Sequence, residues 1–284
     1  MTASPNLQTH INKVGMTSLG MAAARARESR RADALFQDPF AEALAGPANN
    51  ASPRNSLVQE SDEAPYLEIR TRFFDDLLME IVSVEGVRQV VLLGAGMDAR
   101  AYRLDWPPDT HLFEVEQSAV LQVKDDILNS LGAKPTCNRL PLGLNIVGDD
   151  FETPLVSAGF DPGKPVVWLA EGLSYYLEEE SVRKLIETLS SLSVSNSHIA
   201  ADFVNADFFT SEGTKVWLNH MENFGAPWRF GTNSPEEFLA TYGWDSEAIQ
   251  PGEEPANYGR WKRGFHLRSI PDVPRFFFVR GRRN

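Results

Sequence analysis

The stretch VVLLGAGMDARAYR, residues 90–103, carries the strongest fold signal in this sequence. Its apolar beginning is typical of a strand that is covered on both faces of a sheet. Gly94 and Gly96 follow directly, and glycine allows a sharp turn in which the backbone approaches a ligand closely. A helix is predicted after the turn, and the amino terminus of a helix favours an anion. Together the strand, the turn and the helix indicate a nucleotide-binding element.

An acidic residue follows this element at the spacing expected for a ribose ligand. The next apolar run, HLFEVE, is predicted as the second strand and ends at Glu116, about twenty residues after the turn. A carboxylate at this position accepts hydrogen bonds from both ribose hydroxyls. The pattern therefore predicts a site for adenosine or for a dinucleotide.

The glycine turn does not by itself choose between cofactors. Gly94, Gly96 and Ala99 also match the GxGxxA variant of the dinucleotide fingerprint, which leaves an NAD(P)-dependent oxidoreductase as an alternative. Three features argue against hydride transfer. The turn follows a long helical segment, no second nucleotide turn comes later, and no Tyr-x-x-x-Lys pair stands at an obvious place.

Strands and helices alternate through most of the chain, which predicts right-handed crossovers and an α/β fold with a parallel, doubly wound sheet. Strands are predicted at residues 89–93, 111–115, 140–147, 166–170, 198–203 and 275–279, the last in a closing hairpin with residues 265–268. Helices are predicted at residues 16–46 with a break at Asp38-Pro39, and at 65–84, 120–131 and 181–192. Residues 47–53 are predicted as a loop, and residues 206–244 as a helical segment rich in aromatics.

We expect residues 1–284 to form a single domain with four parts. Residues 1–88 form a helical cap, residues 89–204 the cofactor-binding core, residues 205–262 a helical insertion on the substrate side, and residues 263–284 the closing strands.

Residues that follow the later strands are further ligand candidates, because open α/β sheets bind ligands at the carboxyl ends of their strands. Asp149, Asp150 and Phe151 follow the third predicted strand, where a carboxylate accepts from an adenine amino group and the ring packs on the base. An equal alternative is a helix N-cap. Glu171 directly follows the fourth strand and precedes Gly172, where a carboxylate neutralises an ammonium or sulfonium charge.

The composition excludes several other classes of function. The net charge of -12 and pI near 4.9 disfavour nucleic acid as a partner, and the basic run at residues 275–283 is interpreted as a buried strand with a solvated tail. A single cysteine, Cys137, excludes an intramolecular disulfide and a cysteine metal cluster, so no metal site is expected. The amino-terminal residues lack the apolar core of a secretion signal, and no apolar run reaches membrane-spanning length. We therefore expect a cytoplasmic location and no membrane partner.

Six pieces of sequence, in order and spread nearly from end to end, resemble the leucine carboxyl methyltransferase family. They are SLGMAAARARESRRADALFQDPFAEAL, YLEIRTRFFDD, VVLLGAGMDARAYRL, FEVEQ, GFDPGKPVVWLAEGLSYYL and YGRW. The resemblance is to the bacterial branch of S-adenosylmethionine-dependent O-methyltransferases in particular. It implies a seven-stranded class I methyltransferase sheet, which is Rossmann-like, with an amino-terminal helical extension and a late helical insertion.

The same resemblance implies a set of residues for the cofactor S-adenosylmethionine. Arg25 and Arg70 match the basic residues that hold the cofactor carboxylate in the family, with Arg72 as a neighbour, and guanidinium suits a carboxylate in bidentate geometry. The implied cofactor-binding set is Arg25, Arg70, Gly94, Ala95, Gly96, Asp98, Arg103, Glu116, Asp149, Asp150, Phe151 and Glu171. Glu116 stands where relatives usually have aspartate. The adenine segment departs further, which leaves Asn145, Asp149 and Asp150 as alternatives for the adenine contact.

The predicted reaction is methylation of a carboxylate of a small molecule or peptide, because such an acceptor is already ionised at neutral pH and needs no general base. A hydroxyl acceptor in a secondary metabolite is the alternative, and it would need a base, for which His198 and His220 are the nearest candidates. A catalytically silent cofactor-binding protein is a further alternative.

The acceptor side is expected beyond the fourth strand, where the candidates for a catalytic role are Glu171, Tyr175 and Tyr176. Arg229 or Arg260 is a candidate for holding an acidic substrate, although each is equally interpreted as a surface charge. An apolar acceptor pocket is expected to be lined by Phe208, Phe209, Trp217, Phe224 and Trp228. Half or more of these rings alternatively pack their segment on the sheet.

Overall fold

The computed structural model describes residues 11–50, 63–148 and 150–284. Three helices come before the first strand: α1 (Lys13–Ser29), α2 (Ala41–Asn50) and α3 (Tyr66–Ser83). Asn12 caps α1, since its side-chain oxygen accepts a hydrogen bond from the backbone N–H of Gly15. The predicted break at Asp38-Pro39 separates α1 from α2, and α2 continues to Asn50 across a kink at Gly46, where a loop was predicted. Residues 51–53 of that loop lie outside the described residues.

Seven strands form one sheet in the order β3-β2-β1-β4-β5-β7-β6. They are β1 (Gln89–Leu93), β2 (His111–Glu116), β3 (Asn138–Gly143), β4 (Val166–Ala170), β5 (His198–Val204), β6 (Trp244–Ile249) and β7 (Phe276–Arg283). The first five strands are parallel, and β7 runs antiparallel between β5 and β6. The doubly wound, seven-stranded sheet predicted above is confirmed.

Helices cover both faces of the sheet, which explains why its central strands are apolar at every position. Successive residues of β1 serve opposite faces, with Val90 and Leu92 packing under α1 and α3 while Val91 and Leu93 pack toward α7. The remaining helices are α4 (Arg100–Arg103), α5 (Ser118–Ser130), α6 (Glu152–Ser157), α7 (Glu179–Ser191), α8 (Lys215–Phe224) and α9 (Pro235–Ala240). No helix among the described residues is long and apolar enough to cross a membrane.

The closing hairpin differs from the prediction. The partner of β7 is β6 rather than residues 265–268, which lie in coil, where Leu267 is 63% exposed. The reason is burial: β6 contributes Trp244, Ala248 and Ile249 to the core, whereas the apolar side chains of the coil remain exposed. The basic tail is also part of β7, and Arg280 on its exposed face pairs with Glu247 of β6 at 2.8 Å.

Candidate functional site

The carboxyl ends of β1, β2 and β4 border a cavity of about 290 Å³, which we call the cofactor cavity. Helix α1 closes it from above through residues such as Gly15, Ser18 and Met21. The predicted site residues that line it are Arg25, Arg70, Gly94, Ala95, Gly96, Asp98, Arg103, Glu116, Asn145, Glu171, Tyr175 and Tyr176. Residues from six separate parts of the chain therefore meet at one cavity.

The glycine turn after β1 requires glycine for both its conformation and its contacts. Gly94 has a φ of 65° and Gly96 a φ of 46°, a region that other residues rarely adopt. A Cβ atom on Gly96 would lie 2.7 Å from the Cβ of Ser18, and one on Gly94 would lie 3.2 Å from Leu173 Cδ1. The turn thus allows α1 to approach closely, and its backbone N–H groups at Gly94 and Ala95 donate to the carbonyl oxygen of Val115.

Glu116 at the end of β2 is bound to this turn. Its Oε2 accepts a hydrogen bond from Gly96 N at 2.9 Å, and its Oε1 accepts one from Gln117 N at 2.7 Å. Burial raises the pKa of the Glu116 carboxyl above its ordinary value, although the two backbone N–H groups act in the opposite direction. The carboxylate is held in place at the position that the sequence assigns to a ribose ligand.

Beneath the cavity lies a group of charged side chains that we call the charge network. Its members are Arg25, Arg70, Arg100, Arg103, Asp38, Asp75, Asp98, Glu171 and Asp202. Four arginines against five carboxylates leave one formal negative charge. Mutual pairing is what makes so many buried charges tolerable, since an unpaired buried charge is costly.

Glu171, which follows β4, joins two arginines of the network. Its Oε1 lies 3.0 Å from Arg70 Nε, and its Oε2 lies 2.7 Å from Arg100 Nη1. Arg100 also binds Asp98 and, at 2.7 Å, Asp75. Sequence reasoning missed Arg100 and Asp75, although both lie within the motif pieces quoted above. Neither stands at a strand end, which is the signal that identified Glu171.

Asp202 on β5 is a third residue that the sequence analysis missed. Its carboxylate is fully buried and accepts hydrogen bonds from Arg70 Nη1 at 2.8 Å, from the Tyr66 hydroxyl at 3.0 Å and from Gly172 N at 2.6 Å. It therefore connects α3 to the turn after β4. An acid near the end of a buried strand is the signal that could have found it.

Two of the predicted arginines keep a nitrogen for a ligand. Arg25 binds Asp38 through Nε and the carbonyl oxygen of Met97 through Nη2, and its side chain is 13% exposed. Arg70 Nη2 has only the sulfur of Met21 as a partner among the described residues, at 3.5 Å. Arg103, in contrast, is occupied by Asp75 through both terminal nitrogens.

Arg72, the less certain neighbour of Arg70, does not line the cavity. Its side chain is half-exposed, and it binds Asp76 at 2.9 Å and the carbonyl oxygen of Leu35 at 2.7 Å. It lies on another face of α3, because residues two apart on a helix do not face the same side.

The three alternatives for the adenine contact are placed differently. Asn145 lines the cofactor cavity, whereas Asp150 is exposed and its Oδ1 accepts a hydrogen bond from Thr153 N at 3.2 Å. A hydrogen bond with the Thr153 side chain and this bond with its backbone lower the pKa of Asp150, an arrangement that corresponds to the helix-cap alternative. Phe151 is buried in the core and does not line the cavity, so it is not brought to the predicted ring contact. Asp149 lies outside the described residues.

Tyr175 and Tyr176 follow the turn after β4 and line the cavity. Burial raises the pKa of both phenols, strongly so for Tyr175, where the charge of Asp202 adds to the effect. The Tyr175 hydroxyl accepts a hydrogen bond from Arg70 at 3.1 Å, and its ring lies 4.1 Å from that of Trp228 between centroids. Neither phenol is poised to act as a base near neutral pH.

The aromatic segment predicted to line the acceptor pocket packs largely on itself. Phe208, Trp217 and Trp228 are buried in one cluster with Tyr175, and Phe209 and Phe224 pack against that cluster. None of these five rings lines the cofactor cavity. Phe208 and Trp217 line a separate cavity instead, and the alternative interpretation, in which the rings pack their segment on the sheet, describes the other three.

The other predicted histidines and arginines are also away from the cavity. His198 begins β5, at the opposite end of the sheet, and lies 3.2 Å from Glu85. His220 is exposed on α8. Arg229 is half-exposed between two glutamates at 3.5 and 3.6 Å, and Arg260 forms a buried bidentate pair with Glu28.

Two expected absences concern metal and thiol chemistry. Among residues 11–50, 63–148 and 150–284, no group of His, Cys, Asp and Glu has the arrangement of a metal site. Burial raises the pKa of the Cys137 thiol to about 12, which disfavours the reactive thiolate.

This chain is similar in sequence to a methyltransferase family and to individual relatives. The family model described as leucine carboxyl methyltransferase matches residues 18–190. A putative S-adenosyl-L-methionine-dependent methyltransferase of Streptomyces avermitilis is 35% identical over 266 residues, covering 87% of this chain and 88% of that protein. One of Mycobacterium tuberculosis is 36% identical over 268 residues, covering 87% and 85%.

Solved structures agree on the fold. A DUF574 family protein from Streptomyces avermitilis covers 93% of this chain and 97% of its own, with a TM-score of 0.65 at 12% identity. A structure described as a putative methyltransferase from Thermobifida fusca covers 98% and 97%, with a TM-score of 0.60 at 16% identity. The dinucleotide alternative raised by the GxGxxA pattern finds no support in these matches.

Proposed function

This chain belongs to the leucine carboxyl methyltransferase family, and on that premise we propose that it methylates a carboxylate oxygen of a small molecule or peptide. Its cofactor is S-adenosylmethionine, on which the matched relatives depend. The acceptor and the atom that is methylated are the parts of this statement that we propose.

The residues of the cofactor cavity fit S-adenosylmethionine. The charge network has one negative charge in excess, and the cofactor, with a carboxylate, an ammonium and a sulfonium, carries one net positive charge. Arg25 Nη1 and Arg70 Nη2 would hold the carboxylate, Glu116 the ribose hydroxyls and Asn145 the adenine. When bound, S-adenosylmethionine supplies an activated methyl group on its sulfonium.

One observation carries the choice of a carboxylate acceptor. Among the described residues that line the cofactor cavity there is no histidine, lysine or cysteine. Tyr175 and Tyr176 have raised pKa values, and Glu171 is shared between two arginines. A hydroxyl acceptor needs a base that accepts its proton, whereas a carboxylate acceptor is already ionised. The chain's own contribution is then to orient the acceptor and exclude water.

In this proposal Tyr176 and Thr17 border the acceptor end of the cavity, while Tyr175 is a positioning residue. Tyr175 also lines the cavity, and its hydroxyl is bonded to Arg70, through which it acts on the cofactor carboxylate. Glu171 fixes the two guanidinium groups of Arg70 and Arg100 at the turn after β4.

The test is a product analysis with methyl-labelled S-adenosylmethionine and a panel of small carboxylic acids and peptides. A methyl ester releases labelled methanol in mild base, whereas a methyl ether does not. Label that resists base would overturn the carboxylate proposal in favour of a hydroxyl acceptor. Wild type and Glu171→Gln are compared with Arg72→Gln, which alters a half-exposed arginine outside the cavity. A turnover that Glu171→Gln loses and Arg72→Gln keeps would also exclude the catalytically silent alternative.

A further inference from the structure

A second cavity, of about 350 Å³, lies at the same edge of the sheet beside the ends of β6 and β7. Its walls come from the predicted substrate-side segment and from the coil before β7. Aromatic rings dominate them, namely Tyr66, Phe208, Trp217, Trp261, Phe265 and Phe276. None of the described residues lines both this cavity and the cofactor cavity. The volume is at the lower end of the range of about 300–1,000 Å³ that is usual for small-molecule sites.

The charges around this second cavity have one sign. The chain contains 39 acidic residues, yet no Asp or Glu is among the described residues that line the cavity. The charged or titratable lining residues are instead Arg263, His266 and Arg275. Arg263 and His266 are exposed at the rim, so an anion that entered the cavity would pass beside them.

Arg275 provides a buried positive charge at the wall. It is 6% exposed, and its terminal nitrogens donate to backbone carbonyl oxygens of Leu267, Ile270 and Val273. The one carboxylate within 4.0 Å of it among the described residues is that of Asp207, at 4.0 Å. The backbone carbonyls bind only its terminal nitrogens and do not neutralise its charge, and the carboxylate of Asp207 is at the limit of ion-pair distance, which favours an anion in the cavity.

Three lining residues also have a buried donor that has no acceptor among the described residues. They are Arg275, at Nε, Trp217, at Nε1, and Trp261, at Nε1, and Trp217 is 7% exposed. Buried donors in folded proteins are normally bonded, so each such group calls for an explanation. All three belong to the wall of one cavity, which is where a ligand with acceptor atoms would lie.

We propose that the second cavity binds a small aryl carboxylate. The aromatic walls bury the ring, and Arg275, Arg263 and His266 attract the carboxylate. A neutral aromatic hydrocarbon would leave the buried donors of Arg275 and Trp217 without an acceptor, and a polyanion would not fit walls that are mainly apolar. This binding site does not depend on the methyl transfer proposed above.

The second cavity is connected to the cofactor cavity through two side chains. Tyr66 lines the second cavity, and its hydroxyl donates to Asp202, which pairs with Arg70 in the cofactor cavity. An occupant that shifts Tyr66 therefore acts on an arginine assigned to the cofactor. Such a coupling is reciprocal, so the cofactor changes the affinity of the aryl carboxylate by the same factor.

The experiment titrates the full chain with phenylacetate and with phenylacetamide, its neutral counterpart, by calorimetry. We expect phenylacetate to bind at least about tenfold more tightly than the amide, since a charge-assisted contact is lost in the amide. Saturating S-adenosylhomocysteine should leave this binding site accessible. Equal affinities, displacement of phenylacetate by S-adenosylhomocysteine, or no saturable binding of phenylacetate up to about 10 mM would overturn the proposal.

Charge variants locate the site. Arg263→Gln and His266→Gln alter exposed rim residues, and Arg263→Gln should weaken phenylacetate about threefold to tenfold while leaving phenylacetamide unchanged. Arg183→Gln removes the same charge from the exposed surface of α7 and is the matched control. If the rim variants bind phenylacetate as tightly as the control does, the assignment to this cavity is overturned.

A final measurement distinguishes two roles of the ligand, as a methyl acceptor or as a regulator of the cofactor site. With S-adenosylmethionine present, a gain of one methyl mass on phenylacetate identifies aryl carboxylates as acceptors. A changed affinity for S-adenosylmethionine without methylation identifies them as regulatory ligands. The second result supports the separate binding site even if the proposed carboxylate chemistry fails, whereas methylation of phenylacetate would place it beside the sulfonium in the cofactor cavity and overturn its assignment to the second cavity.

Discussion

The two cavities of this protein differ in the balance of charged side chains around them. Around the cofactor cavity, four arginines face five carboxylates, and each guanidinium has at least one carboxylate within 4.0 Å. Around the second cavity, the described lining has arginine and histidine but no acid, and the carboxylate of Asp207 lies at 4.0 Å from Arg275. The first arrangement suits a ligand whose own charges nearly cancel, and the second suits an anion. The two cavities are similar in volume, so the charges around them, rather than their size, determine which ligand each one favours.

The cavities also differ in the elements that form them. Strand ends and the long helices α1 and α3 position the charge network, whereas coil at residues 262–275 and short helical turns form much of the second wall. Sites on regular elements hold their side chains more precisely than sites on loops. We therefore expect substitutions in the charge network to have larger effects than those near the second cavity.

We expect the largest loss of stability and of cofactor affinity from Asp202→Asn, which removes one negative charge from the charge network. Arg70 would keep only Glu171 as a charged partner, and loss of one partner from a buried ion pair costs about 3–5 kcal/mol. Denaturant unfolding and calorimetric titration with S-adenosylmethionine measure both consequences. Asp245→Asn, on the exposed side of β6, is the control. Equal stability of the two variants would show that Asp202 is not needed to balance Arg70.

The next-largest effect is a loss of cofactor affinity on substitution of a glycine at the cofactor cavity, with a glycine at the second cavity as the control. Gly96→Ala places a Cβ 2.7 Å from that of Ser18 at a positive φ, and S-adenosylmethionine affinity should fall about tenfold or more. Gly264→Ala, in the wall of the second cavity, meets no atom within 4 Å and should leave that affinity unchanged. A Gly96→Ala variant with normal affinity would mean that α1 moves away readily.

A pH effect is expected from Glu116, whose pKa is raised by burial. The pKa of Glu116 is higher in the folded state than in the unfolded state, where it is near 4.5. Glu116 therefore stabilises the ligand-free protein at pH values below the unfolded pKa, and this stabilisation is lost as the pH rises through the folded pKa. Wild type should therefore lose stability relative to Glu116→Gln between about pH 4 and pH 7. Urea unfolding at several pH values tests this, and parallel curves would contradict it.

The smallest effect is expected from Arg229→Gln, a charge that lines neither cavity. Its two glutamate contacts are long and half-exposed, so unfolding free energy should change by less than about 1 kcal/mol. Affinity for phenylacetate should remain within about twofold. A larger loss of affinity would mean that arginines elsewhere on the surface attract anions as strongly as those of the second cavity do.

Local sequence was sufficient for the features that depend on neighbouring residues. The strand and glycine turn at Gly94 and Gly96, and acids that end strands, such as Glu116 and Glu171, follow from patterns a few residues long. The alternation of these elements was enough to predict a doubly wound sheet. Their resemblance to a family then supplied Arg25 and Arg70.

Tertiary structure alone decided which charges meet. Arg70 and Asp202 are separated by 132 residues, and Arg100 and Asp75 by 25, so no local periodicity signals either pair. The hairpin partner of β7 was also decided in this way, because β6 is selected by the side chains it buries and not by proximity along the chain. Propensity and motif act over a few residues, whereas the pairing of buried charges depends on which elements the finished sheet brings together.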